Sequence, residues 1–389
     1  MKIIMIGWYK PQIGGGSHVI QNIVHQLKDS HEIYVINMEE KGLPYLGHWN
    51  DNGVEVFQER IYSNLYSSIQ TMFQTTKRAI LLKRKIKPDI YHVHSPFFAG
   101  IGFLDRKTPM VLTMHGYPSL ETVAMGRIRP DSVQFNLIRK LEIESAKRAD
   151  AVIAVGKDIY RWITTCLEID PSKVFYLPNG VDSYKFVRIH KNTNTDEIMG
   201  FPLIGYIKGL SKVNGPDIAV HSMKHVVRYY PYAKLVLIGD GPMKSELKSL
   251  VQHLKLEKNV LFIGRVTHEE IPFYLSTIDV LIVPSRSETA GLTMLEGMAS
   301  KKVVIVSSVG GLKETWLDSG GKTIIMFRKE DPVDLADKIS YVLENRKLQR
   351  KLSHNARKYV VYKRSWEVYA EKLLDIYEYA IRSRKGKGI

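Results

Sequence analysis

Glu288 and Glu296 stand with seven residues between them in PSRSETAGLTMLEGMAS, residues 284–300. This stretch follows an apolar run that reads as a buried strand, passes a Ser/Thr-rich turn, and enters a helix near Gly291. A helix start presents unpaired backbone N–H groups and the positive end of the helix dipole, so a diphosphate can sit there. Glu288 falls before the helix and Glu296 more than a turn inside it. A carboxylate does not neutralise phosphate, but it accepts hydrogen bonds from sugar and ribose hydroxyls. N–H groups for phosphate and carboxylates for hydroxyls suit a nucleotide sugar. A capped surface helix with two solvated glutamates fits the same spacing.

Two further groups of residues could do chemistry. Gly14, Gly15 and Gly16 follow the first apolar run and precede a helix, where glycines let the backbone approach a ligand and the helix start favours phosphate. The dinucleotide fingerprint is not met, because it requires glycine where Val19 stands. A plain strand-to-helix turn explains these glycines nearly as well. His94 ends one strand and His115 follows another, at the carboxyl ends where open α/β sheets collect ligands. His92, inside a strand, reads as structural, and His94 suits a structural role and a site role equally. No D-x-D motif and no His/Asp/Glu cluster at metal spacing occurs, so no metal and no cofactor is expected.

The elements that must position these residues alternate from end to end. Strands read at Lys2–Ile6, Glu32–Asn37, Ile90–His94, Val111–Met114, Ala151–Val155 and Val174–Leu177, then at Leu203–Ile207, Leu235–Ile238, Val260–Ile263, Val280–Val283, Val303–Val306 and Thr323–Phe327. Helical patterns such as Ser17–Lys28 and Val133–Arg148 lie between them. Short apolar strands alternating with helices argue βαβ units and parallel sheets covered on both faces. HKNTNTDEIMGF, 190–201, is polar and aperiodic and reads as a linker. Trp366, Tyr369, Leu373, Leu374, Tyr377 and Ile381 recur at helix spacing near the end.

At 389 residues the chain suggests two or three domains, and with 44% hydrophobic and 25% charged residues it can bury ordinary cores. The single cysteine, Cys166, excludes a disulfide framework and a Cys-rich zinc site, which fits a reducing cytoplasm. MKIIMIGWYKPQ reads as a first strand and not as a secretion signal. The apolar runs are far shorter than a membrane span, so a soluble protein is expected. A formal charge of +16 and a pI near 9.5 call for an anionic partner: nucleic acid, an anionic membrane surface or phosphorylated small molecules. Nucleic acid is the least supported, because no recognition module is present. Lys77, Arg78, Lys83, Arg84, Lys85 and Lys87 interleave with Ile80, Leu81, Leu82 and Ile86. That mix can lie on an anionic leaflet, and it equally suits a solvated helix face.

In sequence the chain resembles glycosyltransferase family 4, the retaining nucleotide-sugar enzymes of the GT-B fold. The likeness covers nearly the whole chain. Its strongest piece is the Glu-x7-Glu signature from Glu288 to Glu296. Around it stand, in order, GGGSH (14–18), DIYHVHS (89–95), TMHG (113–116), ADAVIAVGK (149–157), LPNGVD (177–182), LIGDGP (237–242), VLFIGRV (260–266) and GGLKE (310–314).

The resemblance implies two Rossmann-like domains facing a cleft. Residues 1–190 form the acceptor side, with 365–389 crossing back to it, and 191–364 bind the donor. It implies that Glu288 bonds donor-sugar hydroxyls and Glu296 the ribose, that Gly264, Arg265 and Val266 lie beside the nucleobase, and that backbone near Thr289, Ala290 and Gly291 meets the diphosphate and sugar. Gly15 and Gly16 would face the donor phosphate, and His115 the transferred sugar. Asn179 would shape a turn.

The resemblance implies retention of configuration by front-face attack, the leaving phosphate oxygen taking the acceptor's proton, so no protein nucleophile is needed. The implied partners are a nucleotide sugar and a glycan or lipid-linked acceptor, at the inner face of the membrane or free in the cytoplasm. An epimerase or phosphorylase on the same fold, or a non-catalytic nucleotide-sugar binder, stays open. The family's usual G-R-L-x-x-x-K-G, whose Arg and Lys hold the diphosphate, is replaced here by KGLSKVNG, 208–215. Gly209 stands for the Arg and Asn214 for the Lys. Lys208 and Lys212 are the nearest cations to take over, Lys208 first.

Overall fold

The computed structural model of the protein describes residues 1–9, 15–39, 47–60, 65–124, 128–187 and 201–386. The chain divides into two compact units, Met1–Asn179 with Trp366–Ile389, and Gly180–Ser365.

The first unit runs β1 (Lys2–Gly7), α1 (Gly15–Leu27), β2 (Glu32–Glu39), β3 (His48–Asp51), β4 (Val54–Arg60), α2 (Leu65–Ile86), β5 (Ile90–Val93), α3 (Ile101–Leu104), β6 (Met110–Met114), α4 (Pro118–Ala124), α5 (Val133–Arg148), β7 (Ala151–Ala154), α6 (Lys157–Arg161) and β8 (Val174–Tyr176). Its eight strands lie in the order β3-β4-β2-β1-β5-β6-β7-β8. All neighbours are parallel except β3 and β4. This edge hairpin escaped the sequence reading, although Asn52 (φ 52°) and Gly53 (φ 91°) form the Asn-Gly turn that such pairs favour. Its strand is polar and half exposed, so it lacks the apolar run that marks the others.

The second unit runs β9 (Leu203–Ile207), α7 (Pro216–Tyr229), β10 (Lys234–Ile238), α8 (Lys244–His253), β11 (Val260–Gly264), α9 (Ile271–Thr277), β12 (Val280–Val283), α10 (Leu292–Ala299), β13 (Val303–Ser307), α11 (Gly310–Asp318), β14 (Ile325–Phe327), α12 (Pro332–Glu344) and α13 (Arg346–Lys363). Its six parallel strands lie in the order β11-β10-β9-β12-β13-β14. The last helix, α14 (Trp366–Gly386), belongs to the first unit.

The sequence reading put the domain boundary at 190, whereas the second unit begins at Gly180. Val181 pairs with Ser365 and Arg357 donates to the Ser183 carbonyl, which ties this stretch to the second unit. Residues 190–200 of the expected linker lie outside the described residues.

Each sheet is covered on both faces, as its apolar inner strands require. In the first unit, Ile4, Ile6, Tyr91, Val93, Leu112 and Met114 pack toward α2, α3, α5 and α6. Ile3, Met5, Val35, Ile90 and Ile153 pack toward α1 and α14. The helical spacing of Trp366, Tyr369, Leu373 and Tyr377 delivers all four to that second layer. Arg384 fixes the helix end, donating from Nη2 to Oδ2 of fully buried Asp150 at 2.6 Å.

In both sheets the chain order reverses beside a central strand. β2 lies on one side of β1 and β5 on the other; β10 lies on one side of β9 and β12 on the other. Loops leaving the two strands at such a point diverge over opposite faces and open a crevice. In the second unit these are the loops after β9 and β12, which carry Lys208–Gly215 and Ser285–Gly291.

Candidate functional site

Two glycines bring the second unit's loops together. Gly215 has φ 66°, and a Cβ there would lie 2.1 Å from the Pro284 carbonyl oxygen; a Cβ on Gly311 would lie 2.2 Å from that of Thr289. At Gly215 only glycine tolerates both the left-handed backbone and the close approach, and at Gly311 the close approach alone excludes a side chain. The loop after β9 is tied from within. Tyr206, buried at the end of its strand, donates to the Gly209 carbonyl at 3.0 Å, and Asn214 Nδ2 donates to the same carbonyl at 2.8 Å and to Ser211 Oγ at 3.0 Å. Burial, then the charges of Asp217 and Glu288, raises the Tyr206 hydroxyl well above its ordinary pKa, so it stays a donor.

From outside, Arg286 clamps this loop to the loop after β12. It forks onto Asp217 (Nη1 to Oδ1 2.9 Å, Nη2 to Oδ2 2.7 Å), donates to the Lys212 carbonyl at 2.7 Å and reaches Glu330 at 2.7 Å. Burial acts to raise the Asp217 carboxyl, but the hydrogen bonds and charge of Arg286 outweigh it and hold Asp217 below its usual range. Arg286 is thus engaged in building the loop.

Against this frame Lys208 turns inward. Its Nζ is hydrogen bonded to Glu288 Oε2 and donates to Ser285 Oγ at 3.1 Å. Ser285 Oγ also stands 3.4 Å from the same carboxylate oxygen, and the other, Oε1, accepts from the Gly291 N–H at 3.3 Å. Gly291, at φ 64°, is the N-cap of α10, and no side chain caps that helix start. An ammonium, a carboxylate, a hydroxyl and open helix N–H groups therefore meet within a few residues. Thr289 and Ala290, both half-buried, line the turn between Glu288 and the helix. Lys212 is exposed.

Glu296, on α10, is reached from another direction. His268 Nε2 lies 2.9 Å from its Oε1, and Lys185 Nζ lies 2.9 Å from His268 Nδ1. The turn after β11 is open: Gly264 has φ 88°, Arg265 is exposed, and Val266 packs on the core cluster that holds Met294 and Leu295 of α10.

In the first unit the expected residues fall at the corresponding strand ends. Gly14 lies outside the described residues; Gly15 and Gly16 open α1. His92, His94 and His115 form a stack. His92 and His94 have ring centroids 4.1 Å apart, His94 and His115 5.4 Å. His92 is saturated, 2.6 Å from Tyr377 Oη and 2.7 Å from Thr113 Oγ1, which makes it structural. His94 Nδ1 meets His115 Nε2 at 3.1 Å, while His94 Nε2 is buried without a partner. Burial pushes His92 down to about 3 and His115 to about 4, and His94 well below its ordinary value.

Ser285, Asp217, His268 and Lys185 belong to this arrangement and were missed in the sequence; Arg286, a further candidate cation for the diphosphate, is bound instead to Asp217, Glu330 and the Lys212 carbonyl. The partners of Asp217, His268 and Lys185 lie many residues away, so no local spacing marks them. Ser285 and Arg286 at least lie inside the 284–300 stretch. Among the described residues no group of three or more His, Cys, Asp or Glu side chains could hold a metal ion, and no helix is long and apolar enough to cross a membrane.

Two family profiles match the chain in succession. The one described as Glycosyltransferase Family 4 covers residues 13–185, and the one described as Glycosyl transferases group 1 covers 190–359. An uncharacterized glycosyltransferase of Methanocaldococcus jannaschii is 27% identical over 98% of this chain and 99% of its own. The alpha-monoglucosyldiacylglycerol synthase of Acholeplasma laidlawii is 25% identical over 72% of this chain and 73% of its own. Among solved structures, that of Anabaena HepE in complex with UDP superposes with a TM-score of 0.73 at 17% identity, covering 96% of this chain and 99% of that one.

Proposed function

The chain belongs to the group 1 and family 4 glycosyltransferases, of GT-B fold, and on that premise we propose that it transfers a hexose-type sugar, with retention, from a UDP- or GDP-type donor to a glycan or lipid-linked acceptor in cell-surface polysaccharide or glycolipid synthesis. The observation that carries this reading is the meeting of Lys208, Ser285 and Glu288 at the uncapped start of α10. The helix N–H groups and Lys208 face the diphosphate, Glu288 takes sugar hydroxyls, and Glu296 takes the ribose. Lys208 then supplies the positive charge that the missing Arg and Lys would have given, and the reading needs no metal. Lys212, exposed on the looser turn, serves as a secondary cation.

In transfer the acceptor hydroxyl oxygen bonds to the anomeric carbon as the bond to the leaving phosphate oxygen breaks, and that oxygen takes the hydroxyl proton. His115 positions the transferred sugar. A thermal-shift panel of UDP-, GDP- and ADP-sugars tests the donor class: a bound donor at ~100 times its Kd stabilises by ~2.7 kcal/mol. Absence of a shift with every UDP and GDP sugar would refute it.

A lipid-linked acceptor places the protein at a membrane, and the name of the Acholeplasma relative, an alpha-monoglucosyldiacylglycerol synthase, supports such an acceptor. The surface of the first unit supports it as well. Apart from Tyr176, every exposed large apolar side chain among its described residues lies on the layer of α2 to α5, including Phe73 (69%), Leu81 (49%), Leu104 (67%) and Val133 (83%). On α2, Lys77, Arg84 and Lys85 are exposed beside Phe73 and Leu81, and the helix has no acidic residue. Apolar side chains that insert and cations that meet lipid phosphates are what an anionic interface binds. The protein is expected to cosediment with anionic vesicles at low salt, and the double variant Arg84→Glu, Lys85→Glu to lose most of that binding. Equal partition onto neutral and anionic vesicles, or none onto either, goes against this placement.

A further inference from the structure

His268 and Lys185 are not part of the motif that marks the nucleotide site, yet both converge on one of its two glutamates. His268 lies between β11 and α9, and Lys185 in the short turn Lys185–Val187 that follows the start of the second unit. A lysine ammonium has donors and no acceptor, so the 2.9 Å contact from Lys185 Nζ makes His268 Nδ1 an acceptor. The imidazole proton then resides on Nε2, where it donates to Glu296 Oε1 at 2.9 Å. The edge-on Phe186 ring, its centroid 5.7 Å away, holds the imidazole plane. Lys185 is further held by Glu269 at 3.8 Å. The side chains of His268 and Glu296 are mostly buried, at 26% and 12% exposure, so this geometry is not a passing surface contact.

We propose that the chain Lys185–His268–Glu296 is a positioning device for ribose recognition: the imidazole fixes one carboxylate oxygen of Glu296 and presents the other to the ribose hydroxyls. The inference rests on the assignment of Glu296 to the ribose. Its physical basis is entropic and directional. A glutamate on a helix surface has three rotatable bonds, and its carboxylate meets a diol in two good hydrogen bonds only when its plane is already set. His268 sets that plane with a hydrogen bond that is itself charge-assisted. Lys185 fixes the tautomer, without which the ring would turn an acceptor toward the carboxylate.

The test measures binding of UDP and GDP, and of their 2′-deoxy and 3′-deoxy forms, to the whole protein by titration calorimetry. Whichever base binds more tightly is carried forward. The parent is expected to favour the ribonucleotide over the deoxy forms by about tenfold or more. Glu296→Ala is expected to abolish that preference. His268→Ala is expected to cost most of it, weakening the ribonucleotide while the deoxy forms bind as they do to the parent. His268→Gln, whose amide nitrogen can donate from nearly the same point, restores it in large part. Lys185→Met leaves the ring in place and gives a smaller loss in the same direction, which reads the chain even if His268→Ala fails to fold. If Glu296→Ala loses the preference while His268→Ala and Lys185→Met keep it in full, the positioning device is overturned and the ribose assignment stands. If the parent shows no preference and Glu296→Ala binds like the parent, the ribose assignment falls and takes the inference with it.

Discussion

Glu288→Ala is expected to lower sugar transfer by about two to four orders of magnitude while nucleoside diphosphate binding changes little. Each hydrogen bond to a charged acceptor contributes ~1.5–3 kcal/mol, so two sugar hydroxyls lost together give ~3–6 kcal/mol in the transition state. The structure adds a second consequence, because Glu288 also holds Lys208. Removing the carboxylate leaves the ammonium with Ser285 alone and freer to meet a diphosphate, so nucleotide affinity should hold or rise. Lys208→Ala is expected to reduce transfer by more than ~10-fold, at least ~1.4 kcal/mol. It should weaken the diphosphate in a salt-sensitive way, since a lysine lacks the bidentate fork of arginine. The two residues share one ion pair, so the double variant should lose less than the product of the single losses. Steady-state kinetics with a responding donor, alongside melting curves, decide the matter. Parent-level turnover in a well-folded Glu288→Ala protein would remove this residue from the sugar site.

Acid is expected to unfold the first unit well above the pH at which its carboxylates titrate. His92, His94 and His115 are held neutral chiefly by burial, with His92 at about 3 and His115 at about 4. An unfolded chain binds protons on these rings near pH 6.5, which the native stack refuses. The unfolded state therefore holds more protons below that pH, and stability falls as pH drops from about 6.5 toward 4. Each ring contributes up to ~1.4 kcal/mol per pH unit, and up to ~6 kcal/mol for the three by pH 5. His92 and His94, buried at 0% and 2% exposure, carry most of this; His115 keeps an edge in solvent.

Asp105 does not blur the window. Burial acts to raise it, yet hydrogen bonds led by Lys83 hold it at about 2, so its stabilising share is lost only below the ordinary carboxylate range. Glu142, raised by burial, works in the opposite sense near the lower end. Urea unfolding between pH 7.5 and 4.5 should show the slope, and His92→Gln should flatten it by about one proton. A free energy constant from pH 7 to 5 would contradict the neutral stack.

What the sequence determined by itself is the alternation of elements and the place of the Glu pair. β9 and β12 fall where their apolar runs lie, and α5 spans the residues that its pattern marked. A strand buried on both faces has no solvent side, so its composition alone identifies it. The Glu288 and Glu296 positions, before and inside α10, follow from local rules for helix starts. The β3–β4 hairpin, half exposed at the sheet edge, left only its Asn-Gly turn as a local sign.

Only the tertiary structure decided which partners those glutamates have. Lys208 and Glu288 are brought together because β9 and β12 are adjacent while their connection runs through β10 and β11. His268 reaches Glu296, Lys185 reaches His268, and Arg286 reaches Asp217 across similar distances in the chain. The same holds for the histidine stack, where His92 and His94 share β5 and its exit but His115 comes from β6. Strand neighbours in a parallel sheet are set by the order in which crossovers return, a property of the whole fold that no window of sequence contains. A carboxylate's position can therefore be read from the helix that carries it, while its partners depend on which strands the sheet places side by side.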